Sequence, residues 1–315
     1  MHTIYQKWNC WNIASTDQYI ATFGSGVTIL KRSTLEEIYH FTGIKYIIGG
    51  IFINADILAV YTTEQKIYFL QISEKRIIWT CPRHRNLSSA GDIRCCAIPG
   101  TQKIACIATG KRSLEEHFLL LVDYENKSVT LKEIPNCNRV VHSLIWSKEF
   151  GLSFLSYEAR DNGNLIYKIT GVSDNGDCTM LCEWECSEII NAYWGDFIFM
   201  RNFKPNLQLR GYKLILSPHT HKIELQRTFL IPFPIFHTHG PVGSEKEYMP
   251  SITWVDKNRG MLIGHTSDWL GLYDFINDRL ISEYRQSQIS CSAIIDKTLL
   301  IGCLPGLYAD ELSIN

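Results

Sequence analysis

The segment GMLIGHTSDWLGLYDFINDRLISEYR, residues 260–285, alternates apolar runs with polar turns. An apolar run is followed by a turn, an alternating segment, a second turn and a third apolar segment. Short runs rich in β-branched and aromatic residues, bounded by Gly, Asn, Asp and Ser, are typical of antiparallel strands. The segment therefore predicts a three-stranded meander, and the fold depends on whether this unit recurs.

The same order of runs and turns recurs along the chain. It is found in residues 16–41, 54–81, 100–134, 148–184, 194–229 and 296–312. The apolar runs begin near Tyr19, Ile57, Ile104, Leu152, Phe197, Met261 and Leu299. Most of the steps between them fall near the spacing of about 40–50 residues that propeller blades show. The sequence is a repeat of one β-sheet unit.

One more short strand precedes each apolar run, so each unit has four strands, A to D, as in a β-propeller blade. The last unit ends after its third strand, whereas residues 2–8 form a surplus strand at the other end. Pairing the two would remove an open sheet edge. We predict an all-β, single-domain, seven-bladed propeller over residues 1–315, with antiparallel blades starting near 9, 46, 92, 140, 189, 251 and 290, and with residues 2–8 completing the last blade.

Two segments carry a resemblance to a known family. DWLGLYDFINDRLISEYR (268–285) and HFLLLVDYENKSVTLKEI (117–134) resemble the C–D hairpin of WD-repeat-like and quinoprotein-like seven-bladed propellers, with Asp274 and Asp123 where those repeats close their third strand. The Gly264-His265 pair falls inside strand B rather than before strand A, and no Trp-Asp dipeptide closes a blade. The resemblance implies a propeller that serves as an interaction platform; a shared fold does not assign an activity.

Composition favours a protein of the cytoplasm. The formal net charge is −1 and the pI is about 6.8, so no global field attracts nucleic acid or anionic lipid. No apolar stretch reaches the length of a membrane span, and the N-terminus lacks a secretory pattern. Most of the eleven cysteines lie in apolar strand-like segments, which favours reduced, buried thiols over disulfides.

Several clusters of aromatic and metal-binding residue types have two interpretations. Trp11, Trp146 and Trp254 each end a predicted A strand, with Trp194 close to that position; we favour packing between blades over an aromatic-lined channel. Cys178, Cys182 and Cys186 are expected on one buried face of a strand, as core thiols. The pairs His219/His221 and His237/His239 fall on opposite faces of the disc, so no four-ligand site and no metal are predicted.

The distribution of charged residues among the loops says more about function than these clusters do. The D–A and B–C loops of a propeller lie on one face, and basic residues concentrate on those of blades two to five. An ordinary solvated surface is one reading; a docking surface for an acidic partner is the other, since Arg pairs bidentately with carboxylates. The predicted binding residues are Arg83, Arg85, Arg112, Arg139, Arg160 and Lys204. The long D–A connection at 230–251 adds Phe236, His237 and Tyr248, because loops of this length are commonly functional.

Two functions follow. We favour a non-catalytic binding or scaffold propeller that engages a protein partner, acidic in character, through the D–A/B–C face. It is expected to be a monomer with no cofactor and no nucleic-acid partner. The alternative is a small-molecule hydrolase or lyase with its site at the central channel, for which Asp92, His142 and Glu188 are the candidates.

Overall fold

The computed structural model describes residues 1–89, 93–113, 115–134, 139–202, 208–216, 223–231, 233–239, 245–248 and 250–312. These residues form thirty β-strands and no α-helix. Nowhere in them is there a helix with the length and apolarity that a membrane crossing requires. Twenty-eight strands make seven four-stranded antiparallel sheets, and the other two form a separate hairpin.

Each sheet is one blade, with strand A innermost. The A strands are β2 (Asn12–Ser15), β6 (Ile47–Phe52), β10 (Ile93–Ala97), β14 (Arg139–Ser147), β18 (Ile189–Trp194), β24 (Ser251–Asp256) and β28 (Ile289–Ile295). The B strands are β3 (Tyr19–Phe23), β7 (Ile57–Thr62), β11 (Lys103–Thr109), β15 (Gly151–Ala159), β19 (Phe197–Asn202), β25 (Met261–His265) and β29 (Thr298–Cys303).

The two outer strands complete each blade. The C strands are β4 (Val27–Lys31), β8 (Ile67–Gln71), β12 (His117–Asp123), β16 (Leu165–Val172), β20 (Gln208–Leu216), β26 (Trp269–Asp274) and β30 (Gly306–Glu311). The D strands are β5 (Glu37–Phe41), β9 (Arg76–Cys81), β13 (Ser128–Glu133), β17 (Cys178–Cys186), β21 (Ile223–Ile231), β27 (Arg279–Arg285) and, from the start of the chain, β1 (His2–Tyr5).

The ring is closed by the two ends of the chain. β1 pairs antiparallel with β30, placing His2 opposite Ala309 and Thr3 opposite Tyr308. The amino group of Met1 forms an ion pair with Asp310. This pairing confirms the predicted all-β fold of seven blades with an N-terminal strand completing the last one.

Apolar clusters between neighbouring blades hold the ring together. One cluster joins blades two and three, and includes Phe69 from β8 and Phe118 from β12. Another joins blades six and seven, and includes Leu272 from β26 and Leu299 from β29. The B and C strands are almost fully buried because their two faces pack against different blades, which explains why their sequences are continuously apolar.

The aspartates that carried the family resemblance have a local structural role. Asp274 ends β26, and its Oδ1 accepts hydrogen bonds from the backbone N–H groups of Ile276 and Asn277. Asp123 accepts equivalent bonds from Asn126 at the end of β12. Burial alone would raise the pKa of Asp274, but its hydrogen bonds, with Asn277 first among them, hold that pKa below its usual value. The two aspartates shape the C–D turns.

The connection after β21 is more ordered than the loop that the sequence predicts. Its residues form a two-stranded hairpin, β22 (Phe236–His239) with β23 (Glu245–Tyr248), in which Phe236 lies opposite Tyr248. Asn191 of β18 fastens the end of this connection: its amide donates to the carbonyl of Pro250 at 3.1 Å and accepts from the Ile252 N–H at 2.8 Å.

Candidate binding face and central channel

Three loops of the D–A/B–C face are joined by one buried side chain. Gln65 lies in the B–C turn of blade two, at φ +57°, and only 2% of its surface is exposed. Its amide N–H₂ donates to the carbonyls of Ser88 and Thr109, at 3.0 and 3.1 Å. The turn is therefore fastened both to the D–A loop at 82–89 and to the end of β11.

Backbone contacts extend this fastening. Leu87 forms an isolated antiparallel bridge with Gly110 and is buried in the cluster between blades two and three. The N–H of Lys111 donates to the carbonyl of Asn86 at 2.9 Å, and that of Ser88 to Thr109 at 3.1 Å. We call residues 82–89 and 110–113, with Gln65 beneath them, the basic platform. Its backbone is held in place before any ligand arrives.

The platform presents four basic side chains to solvent. Arg83, Arg85 and Lys111 are exposed. Arg112 is 76% exposed; its guanidinium lies 2.6 Å from the Glu116 carboxylate and 3.8 Å from that of Glu133. Among the described residues, no carboxylate forms an ion pair with Arg83 or Arg85. The two arginines in the 82–89 loop are therefore the better placed to bind an acidic group.

The other predicted binding residues are less closely grouped. Arg160 is exposed in the B–C turn of blade four. Arg139 begins β14, and His237 and Tyr248 lie in the hairpin, but their side chains, like that of His239, are outside the described part. Lys204, His219 and His221 lie outside the described residues altogether.

The apolar residues of the long connection pack against blade six. Phe233 is buried, with its ring centroid 5.4 Å from that of Trp269, and Phe236 lies 5.7 Å from the same ring. Gly264 leaves the space that Phe233 fills, since a Cβ there would lie 2.2 Å from the phenyl ring. Arg285 covers Phe236 at 5.9 Å. Ile235, between the two phenylalanines, is 40% exposed. Phe233 and Phe236 therefore anchor the connection over blade six.

Of the three residues considered for catalysis, the structure describes the side chain of Glu188. Glu188 accepts hydrogen bonds from the Arg210 guanidinium at 3.1 Å and the Tyr212 hydroxyl at 2.8 Å, which gives it a structural role between β17 and β20. Asp92 and the side chain of His142 lie outside the described part of the chain. Within that part, no group of three His, Cys, Asp or Glu side chains could hold a metal ion.

A central channel of about 800 Å³ runs along the A strands. All four tryptophans considered above line it, and Trp194 and Trp254 also pack on the clusters between blades. Trp146 and Trp194 lie at the A–B end, as expected. Trp11 does not: it precedes β2, its backbone N–H bonds to Phe23 at the end of β3, and its indole donates to the Ile47 carbonyl. It therefore lies at the D–A end.

The cysteine run of β17 differs from its predicted arrangement. A bulge between Ile169 and Thr170 of β16 adds one residue to β17, so the alternation of side chains is reversed within the strand. Cys182 and Cys186 pack between blades four and five, whereas Cys178 packs between blades three and four. Every described cysteine is a free thiol. Burial raises the pKa of Cys96 and of Cys303 to about 11, so these thiols are protonated and weakly reactive.

One buried histidine, His117, and two half-buried ones, His40 and His265, make stability depend on pH. Burial lowers the pKa of His40, His117 and His265, so each favours its neutral form when folded. The unfolded chain then binds more protons, and the contribution is complete above the unfolded pKa of about 6.5 and is lost as the pH falls below it. We expect the free energy of unfolding, from urea titrations, to fall between pH 7 and 5 by up to about 1.4 kcal/mol per pH unit for each fully linked histidine.

The same titrations contain their own control. Asp56, Asp123 and Asp296 have lowered pKa values, so their contribution is lost only below about pH 4. A His117→Gln/His265→Gln variant should show a shallower loss between pH 7 and 5 and the same loss below pH 4. Equal slopes for both proteins above pH 5 would contradict the assignment.

Comparison with known proteins identifies a class and goes no further. The chain is a seven-bladed β-propeller. No protein-family model matches its sequence, and no curated protein does. Among solved structures 1042 chains match. One is the crystal structure of the computationally designed Ika8 protein, 10% identical over 99% of this chain and 100% of that one, with a TM-score of 0.63. At that identity the similarity shows the fold alone.

Proposed function

We propose that this propeller is a non-catalytic scaffold that binds an acidic protein segment through the basic platform. It acts as a monomer in the cytosol, in the manner of the WD-repeat-like propellers its C–D hairpins resemble. The reduced state of the described cysteines supports that compartment. The observation that carries the proposal is the fastening of the Arg83/Arg85 loop to two neighbouring loops through Gln65.

Fastening matters because binding otherwise costs conformational entropy. A mobile loop must be ordered when a partner binds, whereas a loop held by Leu87, Gln65 and backbone hydrogen bonds is ordered beforehand. Two exposed guanidinium groups on such a loop, Arg83 and Arg85, can each offer two parallel N–H donors to a carboxylate. A planar acidic side chain, Asp or Glu, fits that geometry better than a lone atomic anion does.

Charge reversal on the platform tests the proposal. We expect an Arg83→Glu/Arg85→Glu variant to recover its main protein partner about tenfold less well or worse, in quantitative affinity purification from cells of the source organism, because a repulsive pair replaces an attractive one. The free energy of unfolding should change by less than about 0.5 kcal/mol, since both side chains are on the surface.

The matched control reverses two adjacent charges of the same blade on the opposite face. Lys75 and Arg76 lie at the C–D turn of blade two, where Arg76 pairs with Glu74 at 2.5 Å. A Lys75→Glu/Arg76→Glu variant changes the net charge equally and should keep the partner. Equal recovery by the two variants would rule out the platform as the binding surface.

A further inference from the structure

The A–B mouth of the central channel combines aromatic side chains with a lysine that is paired with two carboxylates. Trp146, Trp194 and Trp254 each lie within the last three residues of their A strands, β14, β18 and β24. These strands belong to consecutive blades, so the three indoles line one half of the mouth. Ile13 and Ile51 line the channel from blades one and two. The mouth therefore has an aromatic side, formed by blades four to six.

Trp146 differs from the other two tryptophans. Trp194 and Trp254 are half-buried against clusters between blades, whereas Trp146 belongs to none of those clusters and is 42% exposed inside the channel. An indole held on a rigid strand with so much of its surface in water is a ready platform for an apolar ligand face.

Lys257 supplies a charged group to the same channel, three residues after Trp254. It lies in the A–B turn of blade six and lines the channel. Its ammonium forms an ion pair with the buried Asp196 of blade five and lies 3.9 Å from the Glu149 carboxylate of blade four. The positive charge is thus compensated by one carboxylate from blade five and one from blade four. An anionic ligand gains little here, because the ammonium is already paired with two carboxylates.

We propose that this mouth binds a neutral saccharide, with a pyranose ring lying on Trp146 and its hydroxyls at Lys257 and Glu149. A sugar ring has an apolar face of C–H groups that fits an indole, and hydroxyls at its edge that both donate and accept hydrogen bonds. A hydroxyl can accept from the Lys257 ammonium and donate to the Glu149 carboxylate without separating the two charges. The channel volume of about 800 Å³ lies within the range of small-ligand pockets and is ample for a mono- or disaccharide.

The test uses a fixed set of probes: the methyl β-D-glucopyranoside, methyl β-D-galactopyranoside and methyl α-D-mannopyranoside, with cellobiose and lactose. Saturation-transfer NMR reports contact, and tryptophan fluorescence titration gives the dissociation constant. We expect saturable binding of at least one sugar, weakened about tenfold or more in Trp146→Ala and less in Trp146→Phe. A control variant, Trp8→Ala, removes a tryptophan that stacks on His40 at 4.0 Å outside the channel and should leave binding unchanged.

The outcomes separate this site from the basic platform and from other ligands. Arg83→Glu/Arg85→Glu should keep sugar binding, because those arginines lie on the other face. Indole, as a flat aromatic probe, tests the competing chemistry. Three outcomes would each overturn the proposal. They are binding of indole without binding of any sugar in the set, no binding of any sugar at concentrations up to about 20 mM, and sugar binding that survives Trp146→Ala.

Discussion

Deletion of residues 1–5 is expected to lower the free energy of unfolding by more than about 4 kcal/mol, or to yield insoluble protein, because it removes the strand that closes the ring. β1 supplies the fourth strand of blade seven. Its Ile4 and Tyr5 pack on the cluster between blades seven and one, and the Tyr5 hydroxyl lies 2.6 Å from that of Thr22. Without β1, the edge of β30 is left unpaired and open to aggregation.

A control variant distinguishes the effect of losing the strand's backbone pairing from the effect of losing its exposed side chains. His2 and Thr3 are exposed, so a His2→Ala/Thr3→Ala variant keeps the backbone pairing and should lose less than about 1 kcal/mol in urea unfolding. A synthetic peptide of residues 1–8 added to the truncated protein should restore part of the melting temperature. A truncated protein as stable as the full chain would show that the β1–β30 pairing does not hold the ring closed.

The fold could be predicted from the sequence because every blade must satisfy the same physical requirements. Every B strand must bury both faces, so its apolar run recurs. In two of the C–D turns an aspartate, Asp123 or Asp274, bonds the N–H groups of the turn. Local rules of this kind do not depend on distant contacts. The surplus strand at residues 2–8 was informative for a similar reason, because an unpaired edge must be satisfied somewhere.

Features that depend on contacts between blades could not be predicted from the sequence. The bulge opposite Ile169 that turns Cys178 away from Cys182 has no mark in an alternating pattern. The sequence predicts Trp11 at the end of its strand, whereas it precedes the strand, because the residues before Tyr19 do not show where β2 begins. The sequence also does not show that Arg201, which follows an apolar run, lies within β19, where burial lowers the pKa of its guanidinium.

The candidate binding site likewise combines residues that the sequence predicts with a residue that it does not. Exposed arginines in predicted loops could be found by sorting turns onto two faces. The residue that fastens them, Gln65, sits in a Thr-Glu-Gln turn that resembles any polar turn. Its role depends on the carbonyls of Ser88 and Thr109, which lie 23 and 44 residues further along the chain. Only the packing of blade two against blade three brings these groups together.

The largest effect of a single side chain is expected at Trp269. Trp269→Ala should lower the free energy of unfolding by about 3–5 kcal/mol, the usual cost of truncating a buried aromatic residue. The indole is fully buried, its Nε1–H donates to the Glu283 carboxylate at 2.8 Å, and its ring supports both Phe233 and Phe236. Gly271 leaves the space that the ring occupies, since a Cβ there would lie 2.1 Å from it.

Two further variants identify what Trp269 contributes. Trp269→Phe keeps an aromatic ring and removes the bond to Glu283, so it should cost less than the alanine change. Trp146→Ala makes the same Trp-to-Ala replacement at an exposed indole and should cost less than about 1 kcal/mol. Urea unfolding measures all three, and amide hydrogen exchange at residues 233–239 should accelerate only in Trp269→Ala. If Trp269→Ala proves as mild as Trp146→Ala, the 233–239 segment is held to blade six by some other contact, and the anchoring of the hairpin must be assigned elsewhere.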